Sequence, residues 1–221
     1  MRDPVTRWWL EGLNANARSL ADLYAPGRAR AETYAAMTDE ILVGVRSGKA
    51  VCAAFYGHPG VFVEPGHAAV RRARAEGFRA TMLPAISAED CLFAELGLDP
   101  ADGGCQSYEA TTFLIHDLHV EPSATLILWQ VGVIGQLAAG PATPDGLPAL
   151  VERLERDYPP DHETIVYEAS SYAFVAPLVR RVRLSELARA QIPALATLVV
   201  PPRERARLDV RMLDRLGFPR S

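Results

Sequence analysis

At 221 residues, 49% of them hydrophobic, the chain has enough apolar material for one large domain or two small ones with their own cores, which excludes a disordered protein. A net charge of −4 and a pI near 5.8 argue against a general nucleic-acid binder, which carries a basic excess, and favour a small-molecule or peptide partner. No apolar run reaches the roughly 18 residues of a membrane helix. Met1-Arg2-Asp3-Pro4 opens no signal peptide, so a soluble cytoplasmic protein without membrane partners is expected.

Taken in order, residues 3–23 hold Trp8, Trp9, Leu10, Leu13, Leu20 and Leu23, an amphipathic helix followed by a polar loop. Adjacent indoles favour burial in a core or a dimer contact for Trp8-Trp9. The loop Ala25-Pro26-Gly27-Arg28-Ala29-Arg30 enters a helix over 31–46, where Tyr34 follows Arg30 by four residues and shares its face. The apolar run Val51 to Tyr56 reads as a buried strand that ends in the turn Gly57-His58-Pro59-Gly60. Pro59 fixes its own φ, and the two glycines admit backbone angles or close approaches that a Cβ blocks. A helical pattern over 61–77 and a short strand from Phe78 to Leu83 complete a β-loop-α-β crossover. Ligands of open α/β sheets bind beyond the carboxyl ends of strands, so this loop is the expected ligand position.

Ser87, with Asp90 three residues on, has capping-box spacing at the start of a helix over 86–97. A turn-rich loop, 99–104, precedes an element over Tyr108 to Leu114 that the sequence leaves as either helix or strand. His116 to Pro122 breaks the pattern and reads as an interdomain linker. Beyond it come a strand at Thr125 to Val131, a helix at Leu147 to Tyr158 and strands at Thr164 to Glu168 and near Val179 to Leu184. A helix at Ser185 to Ala190, a strand at Leu195 to Val200 and an arginine-rich tail with one amphipathic turn close the chain. The second set of elements implies a mixed rather than purely parallel sheet. Cys52, Cys91 and Cys105 are odd in number and lack Cys-x-x-Cys spacing, so reduced, buried or half-buried thiols are expected. His116-x-x-His119, with Asp117 and Glu121, has a spacing a metal can use but stands in the linker.

The strings Tyr-Gly-His-Pro-Gly-Val-Phe-Val at 56–63, Met-Leu-Pro-Ala-Ile-Ser-Ala-Glu-Asp-Cys-Leu-Phe at 82–93 and Tyr-Glu-Ala-Thr-Thr-Phe-Leu at 108–114 resemble the tetrapyrrole methylase superfamily. Within it they are most similar to the borosin peptide backbone α-N-methyltransferases; the porphyrin branch usually has Asp where this chain has His58. The likeness runs from Asp3 to about Pro202. It implies a two-domain α/β fold, with an α/β methylase domain over 1–118, a second α/β domain over 119–202 and a charged tail over 203–221. It also implies an opening strand and Gly-x-Gly-x-Gly loop ahead of Met1, so Met1 is expected to be a miscalled or truncated start. Loss of such an interior strand leaves two rows of backbone groups unpaired, each costing about 1–3 kcal/mol if buried.

The resemblance further implies S-adenosylmethionine in the cleft between two domains. Matched by motif, the cofactor-facing positions are His58, Val61 and Phe62 of the loop, Ser87 and Ala88 at the capped helix start, Gln130, Tyr167, and Ala194-Leu195. A helix N-terminus suits the cofactor carboxylate, since free amides and the dipole favour an anion there. A backbone amide nitrogen is a poor nucleophile because its lone pair is delocalised into the carbonyl. The resemblance assigns Arg30, Tyr34 and Tyr56 the work of holding negative charge on that carbonyl oxygen or relaying the proton. A further loop tyrosine of some relatives has no counterpart in the shorter segment Tyr24-Ala25-Pro26-Gly27, on this reading. No metal is implied. The expected activity is α-N-methylation of a separate precursor peptide by a homodimer. The alternatives are carbon methylation of a tetrapyrrole-like small molecule, and a non-catalytic truncated relative acting as a binding partner.

Overall fold

The computed structural model describes residues 4–25, 27–136, 145–172 and 174–219. They divide into two compact units, one formed by the residues up to Cys91 together with Gln136, and one by Leu92–Gly135 with those from Asp145 on.

In the first unit, α1 (Pro4–Leu13) is followed by a short 3-10 turn at Ala21–Leu23, α2 (Arg30–Arg46) and α3 (Glu64–Ala75). The helices α2 and α3 pack together, α2 burying Thr33, Met37, Thr38 and Leu42 and α3 burying Pro65, Gly66, Ala69 and Ala73. Small residues on α3 let the two backbones approach. Charged pairs at the rim add orientation, with Arg46 gripping Glu76 through two bonds of 2.7 and 2.5 Å and Arg72 meeting Asp39 at 2.7 Å.

Three expectations for this unit are corrected. Residues 51–55 and 78–87 lie outside any helix, neither forms a strand, and among the described residues neither has a ladder partner. A strand is defined by a neighbour's row of donors and acceptors, and apolar character alone does not supply one. What holds the second segment is local: the Phe78 N–H donates to the Ala73 carbonyl at 2.9 Å, and the Arg74 guanidinium donates twice to that of Ala80 at 2.9 and 2.8 Å. Helix α1 buries no residue, and Trp8 and Trp9 are 75% and 56% exposed, so neither enters a core of this chain. Cys52 is exposed rather than buried, Cys91 and Cys105 are half-buried, and none of the three is in a disulfide.

The second unit carries a five-stranded sheet: β1 (Cys105–Glu109), β2 (Thr125–Trp129), β3 (Glu163–Glu168), β4 (Leu178–Arg183) and β5 (Thr197–Val200), in the order β1-β2-β5-β3-β4. Only the β1–β2 pair is parallel, so the sheet is mixed, as expected. Period-two alternation in the central strands feeds two cores. Leu126, Leu128, Val166, Leu198 and Val200 face α5 (Ala110–Ile115), α6 (Gly146–Leu154) and α7 (Leu184–Leu187). Ile127, Trp129, Ile165, Tyr167 and Val199 face Leu92, Phe93 and Leu96 of α4 (Ala88–Leu96). The element left open at 108–114 is both strand end and helix: β1 passes into α5 at Glu109, whose side chain caps α5 by accepting from the Thr112 N–H at 2.7 Å. Residues 116–122 join α5 to β2 inside this unit, with Val120 buried. A last helix, α8 (Val210–Leu216), is capped by Asp209 and closed by Gly217 at φ 75°.

Candidate active site

The residues assigned to catalysis lie in the first unit. Arg30 is the first residue of α2 and Tyr34 follows one turn later, which places both on the same face. The chain enters this helix from a tight turn in which the Tyr24 N–H donates to the Ala21 carbonyl and Gly27 adopts φ 75°. That turn brings Tyr24 against Tyr34, where the two hydroxyls hydrogen-bond. Burial, and then the Tyr24 hydroxyl, push the Tyr34 phenol above its ordinary value, while the Arg30 guanidinium pulls it the other way. Tyr34 therefore stays protonated at neutral pH and is a hydrogen-bond donor rather than a phenolate base. Tyr24 has no role on sequence alone, because the segment it opens reads as too short to keep the loop tyrosine of some relatives; its six-residue distance from Arg30 gains meaning only once the turn folds back. Tyr56 is 73% exposed at the end of the extended 51–56 segment.

The loop after Tyr56 is built tightly. The Gly60 N–H donates to His58 Nδ1 at 3.0 Å, His67 Nε2–H donates to the Gly60 carbonyl at 2.8 Å, and the Val61 N–H closes onto the His58 carbonyl at 3.3 Å. A Cβ at Gly60 would lie 2.7 Å from Met82 Sδ, and one at Gly66 would lie 2.7 Å from the Pro59 carbonyl oxygen. These close approaches explain the glycines. Phe62 sits at φ 55°, a left-handed angle that is a real outlier for an aromatic residue, and is 48% exposed. At the start of α4 the Ser87 N–H and hydroxyl both donate to Asp90 Oδ2, at 2.6 and 2.7 Å, while the Asp90 N–H donates to Ser87 Oγ at 3.2 Å. This reciprocal cap holds the Asp90 carboxyl below its usual range. It also commits the Ser87 hydroxyl, so a ligand there meets backbone and the exposed Ala88 rather than that oxygen.

The remaining cofactor positions lie in the second unit, at one end of its sheet. Gln130 leaves β2 at φ 60°, the only other left-handed non-glycine among the described residues. Because β2 and β5 are antiparallel, the end of β2 adjoins the start of β5, where Ala194 and Leu195 are exposed, Leu195 by 67%. The Val131 N–H ties the two by donating to the Ala196 carbonyl at 3.0 Å. Tyr167 pairs with Thr197 at the same end, but its side chain is fully buried and its hydroxyl donates to Glu95 Oε2 at 2.6 Å. Glu95 gave no signal in the sequence because it reads as one more polar residue on α4.

The residues fit the implied cofactor in a specific sense. Both left-handed non-glycines of the described residues fall on positions matched to it by motif, and such strain concentrates where a ligand is clamped. The His116-x-x-His119 spacing gathers no metal set: His116 Nδ1 bonds the Thr112 carbonyl, and no group of three or more His, Cys, Asp or Glu forms a metal cluster among the described residues.

The mixed sheet layered by helices is an α/β fold of the methyltransferase type. Uroporphyrin-III-C-methyltransferase from Thermus thermophilus matches it with a TM-score of 0.53 at 23% identity, over 84% of this chain and 76% of that one. In sequence, the family model for Tetrapyrrole (Corrin/Porphyrin) Methylases matches residues 2–188, and the chain belongs to that family. Among curated relatives, the methyltransferase/ribosomally synthesized cyclic peptide gymnopeptides precursor of Gymnopus fusipes is 40% identical over 91% of this chain and 50% of its own length. The methyltransferase/ribosomally synthesized type I borosin cyclic peptide precursor of Serendipita vermifera subsp. bescii is 40% identical over 98% of this chain and 54% of its own. The chain thus spans about half the length of the curated relatives it matches.

Proposed function

We propose that the protein is an S-adenosylmethionine-dependent methyltransferase that α-N-methylates backbone amides of a precursor peptide, working as a cytoplasmic homodimer. The observation that carries this reading is the Tyr24–Tyr34 pair beside Arg30, in a chain about 40% identical to relatives whose names join a methyltransferase to a cyclic peptide precursor. The positions matched to the donor by motif are His58, Val61, Phe62, Ser87, Ala88, Gln130, Tyr167, Ala194 and Leu195. S-adenosylmethionine, when bound, supplies an electrophilic methyl group on sulfur.

The chain's own residues address the acceptor. A permanent guanidinium and a phenol held protonated by burial suit the carbonyl oxygen of an amide, where charge gathers as the nitrogen loses its proton. With the donor bound, Arg30 and Tyr34 would hold the charge on the carbonyl oxygen, and the amide proton would pass through the hydroxyls of Tyr34, Tyr24 and Tyr56 to solvent water, each phenol giving up its own proton as it takes the next.

The test supplies an apolar peptide as a separate chain and follows mass gains of one methyl. Tyr34→Phe and Arg30→Met are expected to lower the rate by about 10²–10⁴-fold with donor affinity retained. Carbon methylation of an electron-rich pyrrole needs little proton removal and would survive both substitutions. Unchanged peptide methylation in the two variants, or donor-independent mass gain, sinks the proposal.

A further inference from the structure

Among the described residues of the second unit, Gly132 makes the tightest backbone approach. A Cβ built on it would stand 2.0 Å from the Pro193 carbonyl oxygen, 2.7 Å from that carbonyl carbon and 2.8 Å from Ala194 Cα. All three are main-chain atoms, so no rotamer change relieves the overlap; the loop itself has to move. The approach lies between two segments joined by the hydrogen bond from the Val131 N–H to the Ala196 carbonyl at 3.0 Å, and the second segment is itself a turn closed from the Ala196 N–H to the Pro193 carbonyl at 3.1 Å. Gln130, two residues before Gly132, is held left-handed, and Ala194-Leu195 directly follow Pro193. Backbone strain at Gln130 persists only if its surroundings over-determine it, and this contact does so.

We propose that Gly132 is a positioning residue for the donor site: by lacking a side chain it locks the turn after β2 onto the loop before β5, so that Gln130 and Ala194-Leu195 form one fixed wall. This rests on the donor-binding reading above. Gly132 itself touches no reacting atom. Its effect is on where its neighbours stand, so substitution should weaken the donor and leave the acceptor peptide alone.

The experiment compares wild type with Gly132→Ala, using Gly12→Ala as a control, since a Cβ at Gly12 meets nothing within 4 Å. Amide exchange at Val131 and Ala196 reads the lock without any ligand, calorimetry with S-adenosylhomocysteine reads donor affinity, and kinetics separate the KM values of donor and peptide. Expected for Gly132→Ala are faster exchange at both amides, donor affinity at least 10-fold weaker, and an unchanged peptide KM. Pro193→Gly, which frees the opposing loop without an overlap, should reproduce the pattern at several-fold and carries the test if Gly132→Ala does not fold. Faster exchange with unaltered donor affinity overturns the proposal while leaving the methyltransferase reading intact. Equal loss of donor and peptide KM also overturns it, as a general loosening. Absence of donor binding by wild type removes both readings, and is told apart by the exchange data, which then show an intact lock with nothing to position.

Discussion

Tyr158 sits in the larger core at 2% exposure, its ring 4.9 Å from that of His162, and its hydroxyl has no protein partner among the described residues. Burial, reinforced by Asp157, pushes its phenol up to about 12. Because the folded value exceeds the unfolded one near 10, the contribution is fully present below pH 10 and is lost as pH rises toward 12. Tyr158→Phe should therefore be neutral or stabilising by up to about 1 kcal/mol at pH 7 and should flatten the alkaline limb of a denaturation series. Gln130 offers a complementary case. Gln130→Gly removes the left-handed penalty, on the order of 1 kcal/mol, so its melting temperature should rise while donor affinity falls. At this scale the sequence was informative where spacing announces local geometry, as with the shared helix face of Arg30 and Tyr34 and the Ser87–Asp90 cap. It was silent where meaning comes from a neighbour distant in the chain: Tyr24 against Tyr34, Glu95 against Tyr167, Pro193 under Gly132.

Among elements, α4 shows how far local chemistry reaches. Its cap is closed in both directions by residues three apart, a pattern visible before any coordinates, and Ser87→Ala should cost about 1 kcal/mol, or up to about 2, in chemical denaturation. Strands β2, β3 and β5 were equally legible, because β-branched and leucine residues alternating between two buried faces leave little choice of conformation. The opposite holds for 51–56 and 78–83. Their apolar runs resemble those of β2 and β5, yet the outcome differs, since pairing is decided by what lies alongside and not by the segment itself. The transition from β1 to α5 was ambiguous for a related reason: Tyr108 and Phe113 both pack into one core although they belong to different elements.

Over the whole molecule, the architecture followed from the resemblance more than from periodicity, and the order β1-β2-β5-β3-β4 was not derivable from either. Non-consecutive neighbours such as β2 and β5 carry no local mark. Charge acts at this scale through the α2–α3 pair. The Arg46 guanidinium holds the Glu76 carboxyl below its usual range, so the interaction stabilises above the unfolded value near 4.3 and is lost as pH falls through the lower folded one. Thermal midpoints of wild type and Glu76→Gln should accordingly differ at pH 7 and converge in acid. Among the described residues no helix is long and apolar enough to cross a membrane.

The open backbone at 51–56 has a practical corollary. Val51, Cys52, Ala53, Ala54 and Tyr56 are solvent-exposed and uncharged and lie outside any helix or strand, which is the composition of a cross-β seed. Concentrated solutions should slowly accumulate thioflavin-positive fibrils, and Ala53→Lys, placing a charged gatekeeper in the run, should delay their onset without shifting the melting temperature of the second unit.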